Sequence, residues 1–298
     1  MTVLTKDEYE NLLKLASAIP EENLKANATN LIEKMSEVIS GIGDRDITWQ
    51  PTFIRIIQGT TDTSNISAAE GATVNVGSIV VGNEAVQQGM KVIPIALWQS
   101  RTLWDKDEDA NGRKICNSPD AKVGWRYGNC NACKFGIGGE NTPPPCNKEY
   151  AFLLMDADFS NMYMIKYHKS MYRTGMDWAK EITQARVHPF KRIFELNSRS
   201  QEKKKTVKEI HAKLHGITAN VLSPEAMLFL EAIYKKQISD RATFLLANAE
   251  SVKERLIARA NGDTGRSISH VQDDSDPLDG VSEQVESGAA DGSDGYSF

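Results

Sequence analysis

Apolar positions at three- and four-residue steps open the chain: Tyr9, Leu12, Leu13 and Ala16, then Leu24, Ala28, Leu31, Ile32, Met35, Val38 and Ile39. That spacing predicts two amphipathic helices, the second entered through Pro20, Glu21 and Glu22 and stopped by Gly41 and Gly43. Such a helical pair must pack on something else, or on another copy of the protein. From Trp49 the pattern turns to short β-branched runs: Phe53, Ile54, Ile56 and Ile57; then Val74, Val76, Ile79, Val80 and Val81; then Val92, Ile93, Ile95, Leu97 and Trp98. Polar, Gly-containing turns at 59–71 and 82–89 separate the runs, as in the opening of an antiparallel barrel or sandwich. Pro94 places the third run at an edge or a bulge.

Strands are expected again at 150–155, 162–167 and 190–196, with a helix at 176–185. Residues 203–214 fit a helix through Val207, Ile210 and Leu214, with a strand left open. Ser223, Pro224 and Glu225 form a helix start, with a capping hydroxyl, Pro at the first position and an acid in the first turn. The helical pattern runs to Gly262, with a break allowed near Ser239 and Asp240. The expected organisation is a helical N-terminal arm at 1–45, a β core at 46–220 carrying a Cys-bearing insertion at about 104–148, C-terminal helices at 221–262 and a tail at 263–298. The tail is poor in apolar residues and rich in Gly, Ser and Asp, a composition that predicts disorder.

Charge changes this picture. The 35 Lys and Arg against 40 Asp and Glu give a net charge of −5, an unpromising total for a nucleic-acid partner. The charge is sorted, however. Eight acids and no Lys or Arg follow Gln272, whereas residues 161–215 hold thirteen Lys or Arg against five acids. A basic body with an acidic end hints at nucleic-acid binding; a solvated helix face with a solubilising tail gives the same counts. No apolar run is long enough for a membrane helix, and residues 1–10 lack a basic start followed by an apolar stretch. The expectation is a cytoplasmic protein without a membrane partner.

All four cysteines, Cys116, Cys130, Cys133 and Cys146, fall in one window as C-x13-C-x2-C-x12-C. With disulfides disfavoured in a reducing compartment, the two-residue gap suits two thiolates binding one tetrahedral ion, and the expected cofactor is a structural Zn2+. A redox pair is the alternative, and His168 a substitute ligand. A catalytic zinc would keep a position for water, and no motif for one is present.

Aromatic and basic residues interleave around and after this window. Single-stranded nucleic acid wants that mixture, since bases stack on rings and phosphates pair with cations. The candidate DNA-binding residues are Trp125, Arg126, Tyr127, Lys134, Tyr163, Lys166, Tyr167, Lys169, Tyr172, Arg173, Lys191 and Arg192. For Tyr163 and Tyr167, core and binding roles are equally open. Asp291, Asp294, Tyr296 and Phe298 close the chain as candidate partner-binding residues, an acidic arm that ends in an aromatic and the α-carboxylate. Such an arm suits the basic groove of its own body and a pocket on another protein.

Taken together, the strand set, the Cys116 to Cys146 segment, the aromatic and basic strands and the acidic end in Phe298 resemble the single-stranded DNA-binding, helix-destabilising proteins of lytic bacteriophages. The resemblance covers roughly residues 49–215 and the tail. It implies an α+β fold with an OB-like antiparallel β-barrel, a zinc-binding insertion and flanking helices. DNA would lie across the strand face, and the tail would recruit replication or transcription enzymes such as a polymerase, a helicase or a primase. Four cysteines, and a long, mostly acidic helical pair at the N-terminus with scope for self-association, depart from the family pattern. The alternative is a zinc-containing adaptor that brings an RNA polymerase to DNA. An enzyme resting on Asp156 and Asp158 finds no third group to support it, so no catalytic activity is expected.

Overall fold

A computed structural model describes residues 4–36, 38–40, 46–48, 50–104, 114–137, 144–201 and 207–260 of the chain. The tail, with Asp291, Asp294, Tyr296 and Phe298, lies outside the described residues.

Helix α1 (Lys6–Ser17) begins at a capping box. The Thr5 hydroxyl accepts from the Glu8 N–H at 3.3 Å, and the Glu8 carboxylate accepts from the Thr5 N–H at 2.8 Å. Helix α2 (Glu22–Ser36) stops short of Val38 and Ile39. These β-branched residues instead form β1 (Val38–Ser40), paired antiparallel with β2 (Asp46–Thr48). The apolar stripes of α1 and α2, including Leu12, Ala16, Ala28, Leu31 and Ile32, are buried within the chain.

A sheet of ten strands follows. Its members are β3 (Thr52–Ile56), β4 (Ser67–Ala68), β5 (Ile79–Val81), β6 (Glu84–Val86), β7 (Met90–Trp104), β8 (Lys114–Ser118), β11 (Asn147–Asp156), β12 (Met162–Tyr167), β13 (Arg192–Gln201) and β14 (Val207–Ile217). A separate small pair, β9 (Val123–Gly124) and β10 (Gly128–Asn129), lies between β8 and β11 in the chain. The spatial order is β14-β13-β7-β11-β12-β3-β5-β6-β4, with β8 against β7.

Two of these pairings, β12 with β3 and β4 with β6, are parallel. The sheet is therefore mixed, where an antiparallel barrel was expected, and among the described residues its strand pairing is an open path with no closure between the ends. The path nevertheless curls. Beyond β3, the Gln58 side chain donates to the Lys208 carbonyl at 2.5 Å and accepts from the Lys208 N–H at 3.2 Å, a side-chain amide standing in for a strand partner of β14.

Each face of the sheet has its own core. On one, Phe152 stacks on Trp178 of α3 (Tyr172–Gln184) at 4.2 Å, with Tyr167 and Phe194 meeting Trp178 edge-on. The approach of α3 requires Gly175, where a Cβ would stand 2.4 Å from the Tyr167 Cβ. On the other face, α1, α2 and α4 (Pro224–Ala260) cover Ile93, Ile95, Leu153, Met155 and Met162.

Pro94 is buried in β7 at a bulge opposite Leu153 and Leu154, and β13 pairs with β7 only from Met90 to Val92. The missing N–H of Pro94 therefore falls past the end of that ladder. Residues 207–217 form strand β14, which settles the ambiguity for the described part of 203–214; residues 203–206 lie outside the described residues. Helix α4, capped by the Ser223 hydroxyl at the Ala226 N–H, runs unbroken through Ser239 and Asp240. Asp240 pairs with Lys236 at 2.7 Å, and Lys236 also reaches Glu8 of α1 at 3.1 Å, so these polar residues fasten two helices together. Further along α4, Arg241 lies over the Trp98 ring at 4.8 Å and donates to the Pro119 carbonyl. Among the described residues, no helix is long and apolar enough to cross a membrane.

Candidate nucleic-acid interface and thiol cluster

Strands β7 and β11 extend past the core and carry a lobe, residues 114–137 and 144–146, at their far end. Cys116 sits on β8 opposite Leu103 of β7. Cys130 follows β10, and Cys133 lies in the next turn, where its carbonyl accepts from the Gly136 N–H at 2.8 Å. Cys146 enters β11 and donates its N–H to the Phe135 carbonyl at 3.0 Å. Asp120 sets the preceding turn, its carboxylate accepting from the Lys122 and Val123 N–H groups at 2.8 and 2.9 Å.

All four cysteines are free thiols, and they border one small cavity together with Arg101, Leu103, Tyr127 and Phe135. Gly124 makes this convergence possible: a Cβ there would stand 2.8 Å from the Cys116 sulfur and 3.6 Å from that of Cys130. Burial pushes the Cys116 thiol up; backbone N–H groups of Arg126 and Tyr127 hydrogen-bond to it and pull the other way, and Cys130 and Cys133 add to the rise. The Cys146 thiol is pushed up to about 11 by burial, then by Cys130 and Cys116, with Arg101 opposing. Among the described residues, no three His, Cys, Asp or Glu side chains are drawn into an assembled metal centre. The thiols thus border a common space without meeting at a bonding point. Four soft donors around a Gly-lined cavity, with N–H groups aimed at a sulfur, are a donor set that fits a tetrahedral thiolate-bound ion.

On the wall of the cavity, Tyr127 and Phe135 pair with ring centroids 5.0 Å apart. The Arg126 guanidinium lies 5.6 Å from the Tyr127 centroid and the Lys134 ammonium 4.9 Å from that of Phe135. A second ring pair, Tyr150 of β11 and Tyr172 at the start of α3, has centroids 5.1 Å apart, and Gln99 donates to the Tyr150 hydroxyl. The Tyr172 hydroxyl is pushed up to about 12, first by burial and then by Tyr150.

Trp125, Arg126, Tyr127 and Lys134 therefore share the lobe. Tyr172 and Arg173 open α3, preceded by the exposed Lys169, whose φ of 49° is left-handed. Tyr163 and Tyr167 are core residues. The first is 7% exposed with its hydroxyl donated to Asp156 at 2.8 Å, and the second is 1% exposed with its hydroxyl donated to the Ile210 carbonyl at 3.0 Å. They alternate with residues of the opposite face on a strand whose two faces are both covered, so neither offers a surface for a base. Lys166 lies over Phe53, a residue of the core on the other side of the sheet, and Lys191 and Arg192 follow the far end of α3, with Lys191 within electrostatic reach of Glu231 on α4. Asp156 accepts from Ser160, Asn161 and Tyr163, and Asp158 caps the Ser160 N–H, so this carboxylate pair organises the β11–β12 turn.

Arg101, Gln99, Tyr150 and Lys148 were not singled out from the sequence. Continuing the period-two reading of β7 past Trp98 places Leu97, Gln99 and Arg101 on one face. The register sets them opposite Phe152, Tyr150 and Lys148. No protein-family model, curated protein or solved structure matches this chain.

Proposed function

We propose that the chain binds single-stranded DNA without regard to sequence, protects it as a non-catalytic protein, and passes it to replication or transcription enzymes through its acidic C-terminal residues. The observation that carries this reading is the aromatic couple of the lobe, the exposed Tyr127 with Phe135; of the second couple, Tyr150 is buried in the core and only Tyr172 is partly open. Arg126 and Lys134 lie over the first couple and Arg173 follows the second in sequence. Rings take up bases of any identity, and cations take up phosphates.

An OB-like core is the finer form of the reading, supported by the curl that brings β14 back to Gln58. A structural Zn2+ held by Cys116, Cys130, Cys133 and Cys146 would brace the lobe, and the fit of donors and cavity supports it.

The adaptor reading keeps one observation of its own. The outer part of α4 exposes Ile238, Leu246 and Ile257, side chains that suit contact with another protein. Titration with poly(dT), followed by tryptophan fluorescence at several salt concentrations, separates the two. The DNA-binding reading expects quenching and an affinity whose logarithm falls by about 0.7 per phosphate neutralised for each unit of log salt. An adaptor would show neither and would retain a polymerase in a pull-down.

A further inference from the structure

Arg101 is 7% exposed, and its guanidinium donates to the Cys130 carbonyl at 3.2 Å and the Gly136 carbonyl at 3.4 Å. Its Nε is buried without a hydrogen-bond partner, and no carboxylate among the described residues lies within ion-pair distance. The register adds a second cation, since Lys148 stands directly across from Arg101 on the same face. Like charges in directly opposed positions destabilise a strand pair, and a buried guanidinium with carbonyl partners alone retains its full charge and most of its desolvation cost. What surrounds Arg101 instead is four thiols: Cys116, Cys130, Cys133 and Cys146 border the same cavity.

We propose that Arg101 is the built-in counter-cation of a dianionic centre, four thiolates around one divalent ion, and that its Nη1 ties this centre to the lobe's backbone. The inference rests on the reading of the four thiols as a metal site. A divalent ion with four thiolates carries a net charge of about −2; one buried guanidinium halves it, and the exposed Lys148 ammonium stands at the rim. Gly136 belongs to the same arrangement, because a Cβ there would stand 2.3 Å from the Cys130 carbonyl oxygen and 2.8 Å from the Arg101 nitrogen. Arg101 is thus a positioning and charge-balancing residue for the ion, with the ring pair Tyr127–Phe135 on the same lobe.

The test is Co2+ uptake by the full chain, read from the thiolate-to-cobalt absorption and from competition with a chelator at fixed pH. Wild type, Arg101→Gln, Arg101→Lys and Lys148→Gln are compared. Arg101→Gln keeps a donor but removes the charge, and is expected to weaken metal affinity by about 10–100-fold, the range for partners just outside the ligand shell. Arg101→Lys and Lys148→Gln are expected to stay within a few-fold of wild type. Arg101→Gln binding as tightly as wild type overturns the proposal. Should Arg101→Gln fail to fold, Arg101→Lys decides: a loss of tenfold or more there assigns the role to the guanidinium's hydrogen bonds and overturns the role of charge. A wild-type protein that takes up no cobalt fails at the metal site itself, a result distinct from the other two.

Discussion

Phe152 lies mid-strand in β11 and Cys146 at its entry, yet their surroundings are of opposite kinds. Around Phe152 the chain excludes water with rings: Trp178 stacked at 4.2 Å, Tyr167 at 5.6 Å edge-on, and α3 laid over them. Around Cys146 the lobe has turns, backbone hydrogen bonds and four thiols, and none of its residues belongs to a hydrophobic cluster. One region is held by apolar burial. The other has too little apolar surface for that and depends on polar and thiol chemistry anchored to strands stabilised elsewhere. The surface proposed above for bases and phosphates is easier to build on the second kind, since its rings need not be spent on the core.

Breaking the first region is expected to have the largest effect. Phe152→Ala removes the ring on which Trp178 stacks and should cost about 3–5 kcal/mol in chemical denaturation, with β11 and α3 losing protection together. Tyr127→Ala acts on the second region. It should leave the denaturation midpoint nearly unchanged and weaken poly(dT) binding by about 1–3 kcal/mol, the worth of one stacked base; equal affinities would return Tyr127 to a packing role with Phe135.

The smallest effect is electrostatic, and its sign differs between the regions. At Asp120 in the lobe, burial works against the charge, but the Val123 and Lys122 N–H groups and Ser118 more than offset it and hold the carboxyl below its ordinary 3.8. Its contribution is therefore complete above that value and is lost as pH falls through the lower folded value. At Asp156 in the β11–β12 turn, burial raises the carboxyl above 3.8 despite hydrogen bonds from Ser160 and Tyr163. Its contribution is complete below 3.8 and is lost as pH rises through the higher folded value. Amide exchange across the carboxylate range should show the Lys122 and Val123 N–H groups losing protection on acidification, while the Asp156 and Phe159 N–H groups of the β11–β12 turn do not.

Much of this division was legible in the residues. The helical spacing of Leu24 to Met35, the β-branched runs of β3, β5 and β7, and the cap at Ser223 each depend on local chemistry and appeared where local chemistry put them. The clustering of four cysteines likewise located the lobe. Parallel pairing of β12 with β3 was not legible, because register between distant segments leaves no local signature. Tyr163 and Tyr167 were ambiguous for a related reason: a strand buried on both faces carries the same alternation whichever face holds the ligand. Arg101 was hidden by position. It lies beyond the apolar run that marked β7, and its importance comes from what the lobe brings against it.

Past the bulge at Pro94, the pleat shared by β7 and β11 runs without a register shift from Ala96 to Thr102 and has a metrical consequence. Alternate residues on one face advance by about 6.8 Å, twice the rise of a single strand residue. Leu97, opposite Phe152, and Arg101, opposite Lys148, thus stand about 13.6 Å apart, one against the aromatic core and the other on the wall of the thiol cavity. The ring-packed core and the thiol lobe are thereby held at a set separation by one stiff pair of strands.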